Sequence, residues 1–203
     1  DGTSQDIMYC GDWWRTKFFM NMTIGDLLGD VTKTQRVQHL ADCLQVNLSW
    51  KINEVSDGMR RRCQLIETLS TPRAVYLMDE ITSDLDLFAR EGILNFLRAE
   101  SELRGATIFY CTHIFDHLEG WADHLLHMSK GEVVNFCKFE DVAEYSQLCA
   151  EGNSTPLYSL VRRWIYKEYE NDQGAAPWRK MDTSVDGRLP NLGLAGPFQM
   201  TSG

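Results

Sequence analysis

The sequence contains no apolar run of the roughly 18 residues that a helix needs to cross a bilayer, so it predicts no membrane-spanning segment. It has no basic segment followed by an apolar stretch and a small-residue cleavage site, and we therefore expect no secretory leader within it. The chain begins at Asp1 rather than at methionine, which favours a fragment of a longer protein. Its 203 residues are enough to bury the core of one large domain or two small lobes.

Positive charge is in deficit. The chain has 20 Lys and Arg against 29 Asp and Glu, and its formal net charge is -9. Because nucleic-acid-binding proteins displace counterions with an excess of Lys and Arg, direct nucleic-acid binding is a disfavoured function. The run Arg60-Arg61-Arg62 is compatible with a local basic patch, but such runs more often lie on the solvated face of a helix, and we favour that interpretation.

The six cysteines form no C-x-x-C motif. Most of them lie within apolar periodic segments, which predicts small buried side chains in a reducing compartment rather than a disulfide framework or a zinc site. This pattern favours a location in the cytoplasm, with the nucleus as an alternative.

Two pairs of histidines have spacings that could suit a metal ion. His113 and His117 are four residues apart, as on a helical metal site, but the glutamate that follows the first histidine in zinc proteases is missing. His124 and His127 lie in a predicted strand, where their spacing places them on opposite faces. We therefore do not favour a resident metal site formed by histidines.

The hydrophobic pattern divides the first 150 residues into alternating strands and helices, with caps at several helix starts. Two apolar strands, 75–78 and 106–111, each end in polar residues and are separated by a helix, which is typical of a parallel α/β unit. The other predicted elements are a strand over 6–10, a short helix after Thr23, helices over 33–46, 56–70 and 86–104, a hairpin of strands 124–128 and 132–136, and a helix over 140–149.

The last part of the chain has a different composition. Residues 152–156 have the composition of a linker, and the amphipathic helix that follows places Leu157, Leu160 and Ile165 on one side, which must dock on the core or on a partner. From residue 171 to residue 203 there is no periodicity, and we expect an extended or disordered tail.

The pair Asp79-Glu80 follows directly after the first apolar strand. A carboxylate at this position can hold Mg²⁺ beside phosphate groups, usually through water. A second carboxylate at the turn can orient or deprotonate an attacking water molecule. The alternative is that acidic residues often end strands, and this is less common for two in succession.

Three further segments give weaker signals. Ser56-Asp57-Gly58 opens a helix whose free backbone N–H groups could bind phosphate oxygens, although a plain capping motif is the simpler interpretation. The segment from Ser83 to Asp86 is by itself a helix cap. His113 follows the second apolar strand, where it could bind a terminal phosphate, but a lone histidine at a strand end is more often structural.

Taken together, the four segments resemble the signature loop, the Walker B strand, the D-loop and the H-loop of ATP-binding-cassette (ABC) ATPases, in the family's order and spacing. The signature S-D-G-M-R-R-R and the motif T-H-I-F-D are most similar to the soluble, non-membrane ABC proteins. That group is known in fungi as a Ccr–Not-complex-associated factor and in plants as non-intrinsic ABC proteins. The resemblance covers roughly residues 9–170 and is weaker in the tail.

The resemblance implies an α/β fold, a partial P-loop NTPase domain with a helical signature lobe and a RecA-like lobe. The implied division is 1–73 for the Q-loop region and the helical lobe, 74–150 for the RecA-like lobe, 151–170 for the C-terminal helix and 171–203 for the tail. It also implies an ATP-driven dimer with a second ABC subunit, identical or not. The helix over 157–165 and the tail are candidates for binding a larger protein complex, in a regulatory role in transcription or mRNA metabolism.

The resemblance implies a role for each matching residue, with ATP and Mg²⁺ as cofactors. Asp79 would serve Mg²⁺, Glu80 would activate water, and His113 would sense the γ-phosphate. The residues expected to contact the nucleotide or the dimer seam are Ser56, Asp57, Gly58, Met59 and Asp86.

Three departures from the family pattern keep other functions open. Met59 replaces the usual signature glutamine, Asp12 stands where the Q-loop glutamine is expected, and no G-x-x-x-x-G-K-[ST] phosphate loop occurs in the sequence. We expect the phosphate loop to precede Asp1. The alternative is an ABC-fold scaffold or pseudo-ATPase that acts as a protein-interaction module. The ATPase subunit of a transporter is a third and weaker interpretation.

Overall fold

The computed structural model describes residues 6–11 and 21–173. They belong to two compact units, which divide after Asp141. The first unit contains β1 (Ile7–Cys10), α1 (Ile24–Leu28), α2 (Gln35–Leu44), α3 (Asp57–Leu69), β2 (Val75–Asp79), α4 (Leu87–Arg104), β3 (Thr107–Cys111), β4 (His124–Ser129) and β5 (Glu132–Lys138). The second contains α5 (Ala143–Ala150) and α6 (Pro156–Gln173), and short 3-10 helices occupy Gly29–Lys33 and Phe139–Asp141.

The first unit contains a parallel sheet with the strand order β1-β2-β3. In its register Cys10 pairs with Met78, and Asp79 pairs with Cys111. Because parallel strands run in the same direction, their carboxyl ends meet at one edge of the sheet. The predicted parallel α/β unit is therefore confirmed.

The helices begin at the capping residues that the sequence predicted. Ser56 Oγ accepts a hydrogen bond from Met59 N at 3.3 Å, and Asp86 Oδ1 accepts one from Ala89 N at 2.9 Å. Thr23 forms a capping box with Asp26 at the start of α1. These side chains satisfy backbone donors that the first turn of a helix leaves free, and they fix where α3 and α4 begin.

The helices cover one face of the parallel sheet. Tyr76 and Met78 of β2 are buried in the core with side chains from all four helices of the unit. On the opposite face Tyr9, Leu77 and Phe109 are exposed, by 52%, 36% and 42%. The apolar strands β2 and β3 are therefore covered on one face, because successive side chains point to opposite sides of a strand and the described helices pack on only one of them.

The strands β4 and β5 form the predicted antiparallel hairpin, with an irregularity between His127 and Met128 and a turn at Lys130 and Gly131. In the second unit α6 is longer than the predicted helix. Leu157 and Leu160 are buried, as docking on the core predicts, whereas Ile165 is 57% exposed, and its docking on a partner stays a prediction. Beyond residue 173 the expected tail lies outside the described residues.

The six cysteines are all free, but they do not share one environment. Cys10 and Cys63 are buried, as predicted, and burial raises the pKa of the Cys63 thiol to about 11. Cys111 and Cys149 are exposed, which contradicts the prediction for them. In the part of the chain that the structure describes, no helix is both long enough and apolar enough to cross a membrane.

Candidate functional site

The candidate site lies at the carboxyl edge of the parallel sheet. Asp79 is the last residue of β2, Glu80 follows it, and His113 comes two residues after the end of β3. Glu80 N donates a hydrogen bond to Cys111 O at 3.0 Å, so the pairing of β2 with β3 continues one residue beyond the strand. This pairing brings Glu80 next to the segment that carries His113.

The side chains of Glu80 and His113 are in direct contact. The Nδ1 atom of His113 lies 2.8 Å from Oε2 of Glu80. Thr112 Oγ1 donates a longer hydrogen bond, of 3.4 Å, to the same Oε2, and accepts one from Ile114 N at 3.0 Å. The side chain of His113 is 73% exposed and that of Glu80 36%, so solvent or a ligand can reach both. A carboxylate held in this way can accept a proton from a water molecule.

The backbone of Glu80 adopts a left-handed conformation, with φ of 49°. For a residue with a Cβ atom this conformation costs roughly 1–2 kcal/mol. Glu80 O accepts hydrogen bonds from Ser83 N at 3.4 Å and from Ser83 Oγ at 3.1 Å, which close a tight turn. The carboxylate therefore stands on a strained turn that local hydrogen bonds support.

The carboxylate of Asp79 lies beside the hydroxyl group of Tyr9 on the neighbouring strand. Tyr9 OH donates a hydrogen bond to Asp79 Oδ2 at 3.2 Å, and this bond raises the pKa of Tyr9 above its ordinary value. Among residues 6–11 and 21–173 no group of three or more His, Cys, Asp or Glu side chains could hold a metal ion by itself. An exposed carboxylate does suit Mg²⁺, which commonly takes one or two carboxylates and completes its shell with water and phosphate oxygens.

The start of α3 packs against the segment that precedes α4. A Cβ atom added at Gly58 would lie 2.9 Å from Asp84 O, so only glycine allows the two segments to approach this closely. Arg62 forms an ion pair with Asp86. The backbone N–H of Ala89, together with Arg62, holds the pKa of Asp86 below its usual range. The structure thus brings the predicted signature and D-loop residues together.

The other predicted residues of the signature segment are at or near the surface. The side chain of Asp57 is 88% exposed and pairs with Arg60 at 2.9 Å. Ser56 and the backbone N–H of Met59 are joined by the capping hydrogen bond, so the capping interpretation of this segment is confirmed. Asp12, the candidate for the missing glutamine, lies outside the described residues.

The prediction that the arginine run forms a solvated helix face is wrong for Arg61, which is only 5% exposed. Its Nη1 atom donates to Gly11 O at 2.9 Å and to Gln64 Oε1 at 2.5 Å, and its Nη2 atom donates to Glu80 O at 3.1 Å. The sequence contained a signal for this burial. The apolar residues Leu65 and Leu69 follow Arg61 at the helical spacings i+4 and i+8 and are buried with it, as are Cys63 and Ile66 on the same helix.

A protein-family profile matches the central part of the chain. A family profile described as "AAA domain, putative AbiEii toxin, Type IV TA system" matches residues 47–117. The matched range contains α3, β2, α4 and β3, and with them the residues at the edge of the sheet described above.

Two curated proteins are similar over most of the chain. ABC transporter I family member 20 of Arabidopsis thaliana is 36% identical over 189 residues, which cover 88% of this chain and 56% of that protein. CCR4-associated factor 16 of Saccharomyces cerevisiae is 35% identical over 149 residues, which cover 71% of this chain and 52% of that protein. The chain spans about half the length of the curated relatives it matches.

A solved structure is similar in fold. It is a dimeric ATP-binding cassette in a post-hydrolysis state, bound to ADP and phosphate, and it aligns with a TM-score of 0.55 and 18% sequence identity. The alignment covers 66% of this chain and 62% of that chain. At this level of identity the likeness concerns the fold alone.

Proposed function

Because this chain belongs to the ATP-binding-cassette (ABC) family and has part of its nucleotide-binding fold, we propose that this protein binds ATP and hydrolyses it. The observation that carries the proposal is the contact of 2.8 Å between Glu80 and His113 at the ends of adjacent parallel strands. Ligands of open α/β sheets bind outside the carboxyl ends of the strands, which is where this pair lies.

Glu80 is the proposed general base. Its carboxylate accepts the proton of the water molecule that attacks the terminal phosphoryl group. Thr112 and His113 hold Oε2 of that carboxylate, and its exposure leaves room for the water molecule. A positioned base of this kind typically contributes about 10²–10⁴ to the rate.

His113 is the proposed contact to the terminal phosphate. Its Nδ1 atom faces Glu80, so Nε2 remains for a phosphate oxygen. Both nitrogens can donate at once only when the ring carries both protons, and the ring then adds positive charge where negative charge develops. Asp79 is the carboxylate that would hold a magnesium ion, which would supply positive charge beside the phosphates of ATP.

The signature segment acts in the proposed dimer. Ser56, Asp57, Gly58 and Met59 at the start of α3 meet the nucleotide held by a second ABC subunit, and Asp86 lies at the seam. The positive end of α3 favours an anion there. A dimeric cassette with ADP and phosphate among the similar folds supports this arrangement. The lobe division at residue 73 remains part of the same proposal.

A protein-interaction role is the second candidate. Its support is Met59 in place of the signature glutamine and the exposed Tyr158 and Ile165 on α6, at 53% and 57%. The name of the yeast relative, CCR4-associated factor 16, supports membership of a protein complex. We propose that α6 and the tail join such a complex, in a regulatory role in transcription or mRNA metabolism in the cytoplasm or nucleus.

Two measurements on the full-length protein test the ATPase proposal. Glu80→Gln keeps the size of the side chain but removes its basic carboxylate, and we expect MgATP turnover to fall by about 10²–10⁴ with ATP binding retained. Glu91→Gln, an exposed carboxylate on α4, is the matched control and should leave turnover unchanged. Turnover that is unaffected by Glu80→Gln would exclude the role of Glu80. No binding of MgATP in a titration would favour the interaction module.

A further inference from the structure

We propose that Arg61 is a positioning residue for catalysis, which holds the turn carrying Glu80 and ties it to the signature helix. This inference rests on the proposed ATPase function. Arg61 itself is buried, so it acts through the backbone of the turn and not by contact with substrate.

The contacts of Arg61 converge on the turn from one side. Its guanidinium reaches three successive backbone carbonyls there, Asp79 O at 3.5 Å, Glu80 O at 3.1 Å and Ile81 O at 3.4 Å. These carbonyls bracket the left-handed residue whose side chain is the proposed base. A side chain that binds the peptide groups on both sides of Glu80 restricts the rotation of its backbone.

The same guanidinium also reaches the end of β1. Nη1 of Arg61 donates to Gly11 O at 2.9 Å, and Gln64 Nε2 donates to the same oxygen at 2.9 Å. Gln64 Oε1 in turn accepts from Arg61 at 2.5 Å. Two side chains of α3 therefore join the ends of β1 and β2 to one helix.

Only arginine suits this position. Its planar group has five N–H donors spread over three nitrogens in a fixed fork, and it meets five acceptors here, whereas lysine has three donors on one nitrogen. The contacts are made in the interior, where hydrogen bonds are stronger and unpaired polar groups are costly. Replacement of Arg61 by lysine should therefore loosen the turn while it keeps the positive charge.

Arg61 lies on the same helix, α3, as the proposed signature residues. The helix begins with Ser56 and Gly58, the residues proposed to meet the nucleotide of the second subunit. Arg61 follows one turn later on the same rigid element and holds the turn of Glu80 in its own subunit. The proposed nucleotide contact of the second subunit and the turn of Glu80 are thereby joined through one helix.

Arg36 provides a matched structural control. It is also largely buried, with 15% of its side chain exposed, and it donates to Glu100 Oε1 at 2.7 Å and to Leu69 O at 2.6 Å. These bonds join α2 to α4 and to the end of α3, and none of them reaches the turn of Glu80. Arg36→Lys should lower stability as Arg61→Lys does, without the catalytic effect.

The test compares ATP turnover by the full-length protein and its variants. We expect Arg61→Lys to lower kcat by about 10- to 100-fold with little change in KM, because a small misplacement of a catalytic group costs this much. Arg36→Lys should leave kcat unchanged. In a Glu80→Gln background Arg61→Lys should cause almost no further loss, since it acts through Glu80.

The other possible results of these turnover measurements separate the role of Arg61 from the proposed ATPase function. If Glu80→Gln abolishes turnover but Arg61→Lys retains full kcat, the role of Arg61 is excluded and the ATPase function stands. An equal loss in the Glu80→Gln background would also exclude it. Absence of turnover in the unmodified protein, or turnover indifferent to Glu80→Gln, would overturn both proposals.

A second measurement does not depend on activity. Amide hydrogen exchange of the segment 79–85 should be faster in Arg61→Lys than in Arg36→Lys at matched stability, because only the first variant loses the bonds to the turn. Equal exchange in the two variants would contradict the positioning role. This comparison also applies to Arg61→Gln, if the lysine variant folds poorly.

Discussion

The imidazole of His113 and the carboxylate of Glu80 meet at 2.8 Å although they follow different strands of the sheet. The contact exists because β2 and β3 are adjacent and parallel, and because the backbone pairing continues to Glu80 N. The proposed base and the imidazole beside it thereby follow directly from two paired strands of one sheet.

Loss of the imidazole should reduce activity without unfolding the protein. His113→Ala removes a group that is 73% exposed, so we expect little change in stability but a fall in ATP turnover of about 10²-fold or more. The control is His117→Asn, since His117 is exposed and its φ of 63° suits asparagine. Equal turnover for His113→Ala and the unmodified protein would show that the contact has no catalytic role.

Gly92 lies within α4, where alanine would normally be favoured by about 1 kcal/mol. Here a Cβ atom would lie 2.3 Å from Cys43 O, a backbone atom of α2 that cannot turn aside. We therefore expect Gly92→Ala to lower the free energy of unfolding, by about 1–3 kcal/mol. Urea unfolding followed by circular dichroism checks this, with Glu91→Ala on the exposed side of α4 as control. A more stable Gly92→Ala would refute the close approach.

Arg36 and Glu100 form an ion pair in the interior, at 2.7 Å, and Tyr76 OH donates to Glu100 Oε2 at 3.0 Å. Removal of one partner leaves an uncompensated charge, so we expect Glu100→Leu to cost about 3–5 kcal/mol. The double variant Arg36→Met/Glu100→Leu should cost less than the sum of the two single changes. Glu54→Gln, which breaks an exposed pair with Lys51, should change stability by under about 1 kcal/mol. Strict additivity would contradict the coupling.

The charge of Asp86 should make the free energy of unfolding depend on pH, with a sign that follows from the direction of its pKa shift. The backbone N–H of Ala89 and the guanidinium of Arg62 lower the pKa of Asp86 in the folded state. A depressed pKa contributes stability above the unfolded value of about 3.9, and that stability is lost as the pH falls through the folded value. Asp86→Asn keeps a capping oxygen but has no charge. The difference in unfolding free energy between the two proteins should be constant above about pH 5 and should shrink below about pH 4.

Unfolding by urea at several pH values measures this difference. It should stay under about 1 kcal/mol at neutral pH, because the carboxylate is largely in solvent and surface charge interactions are weak. A difference that grows as the pH falls would mean that the charge of Asp86 destabilises the fold.

Much of the architecture was predictable because local signals agree with the fold. Thr23, Ser56 and Asp86 mark helix starts through side-chain oxygens, and the polar residues after two apolar strands mark the carboxyl edge of the sheet. These signals depend on residues close together in the chain, so they survive without knowledge of the tertiary packing.

The remainder depends on contacts between distant segments. The sequence placed Glu80 and His113 at the same edge, but the left-handed turn and the contact with Thr112 arise only when the two strand ends meet. Arg61 was predicted to be exposed because runs of arginine usually lie on a solvated helix face. In the structure it is buried and contacts the backbone at the ends of β1 and β2. Periodicity placed Leu157, Leu160 and Ile165 on one side of α6, but it could not show which of them the chain itself buries.

The left-handed backbone at Glu80 lowers the stability of the fold, whereas the side chain at the same position is the proposed base. Glycine there would release the conformational energy held in the turn and so favour the folded chain, but it would also delete the proposed proton acceptor. Engineering for thermal tolerance that selects on folding alone would thus drive position 80 toward an inert protein.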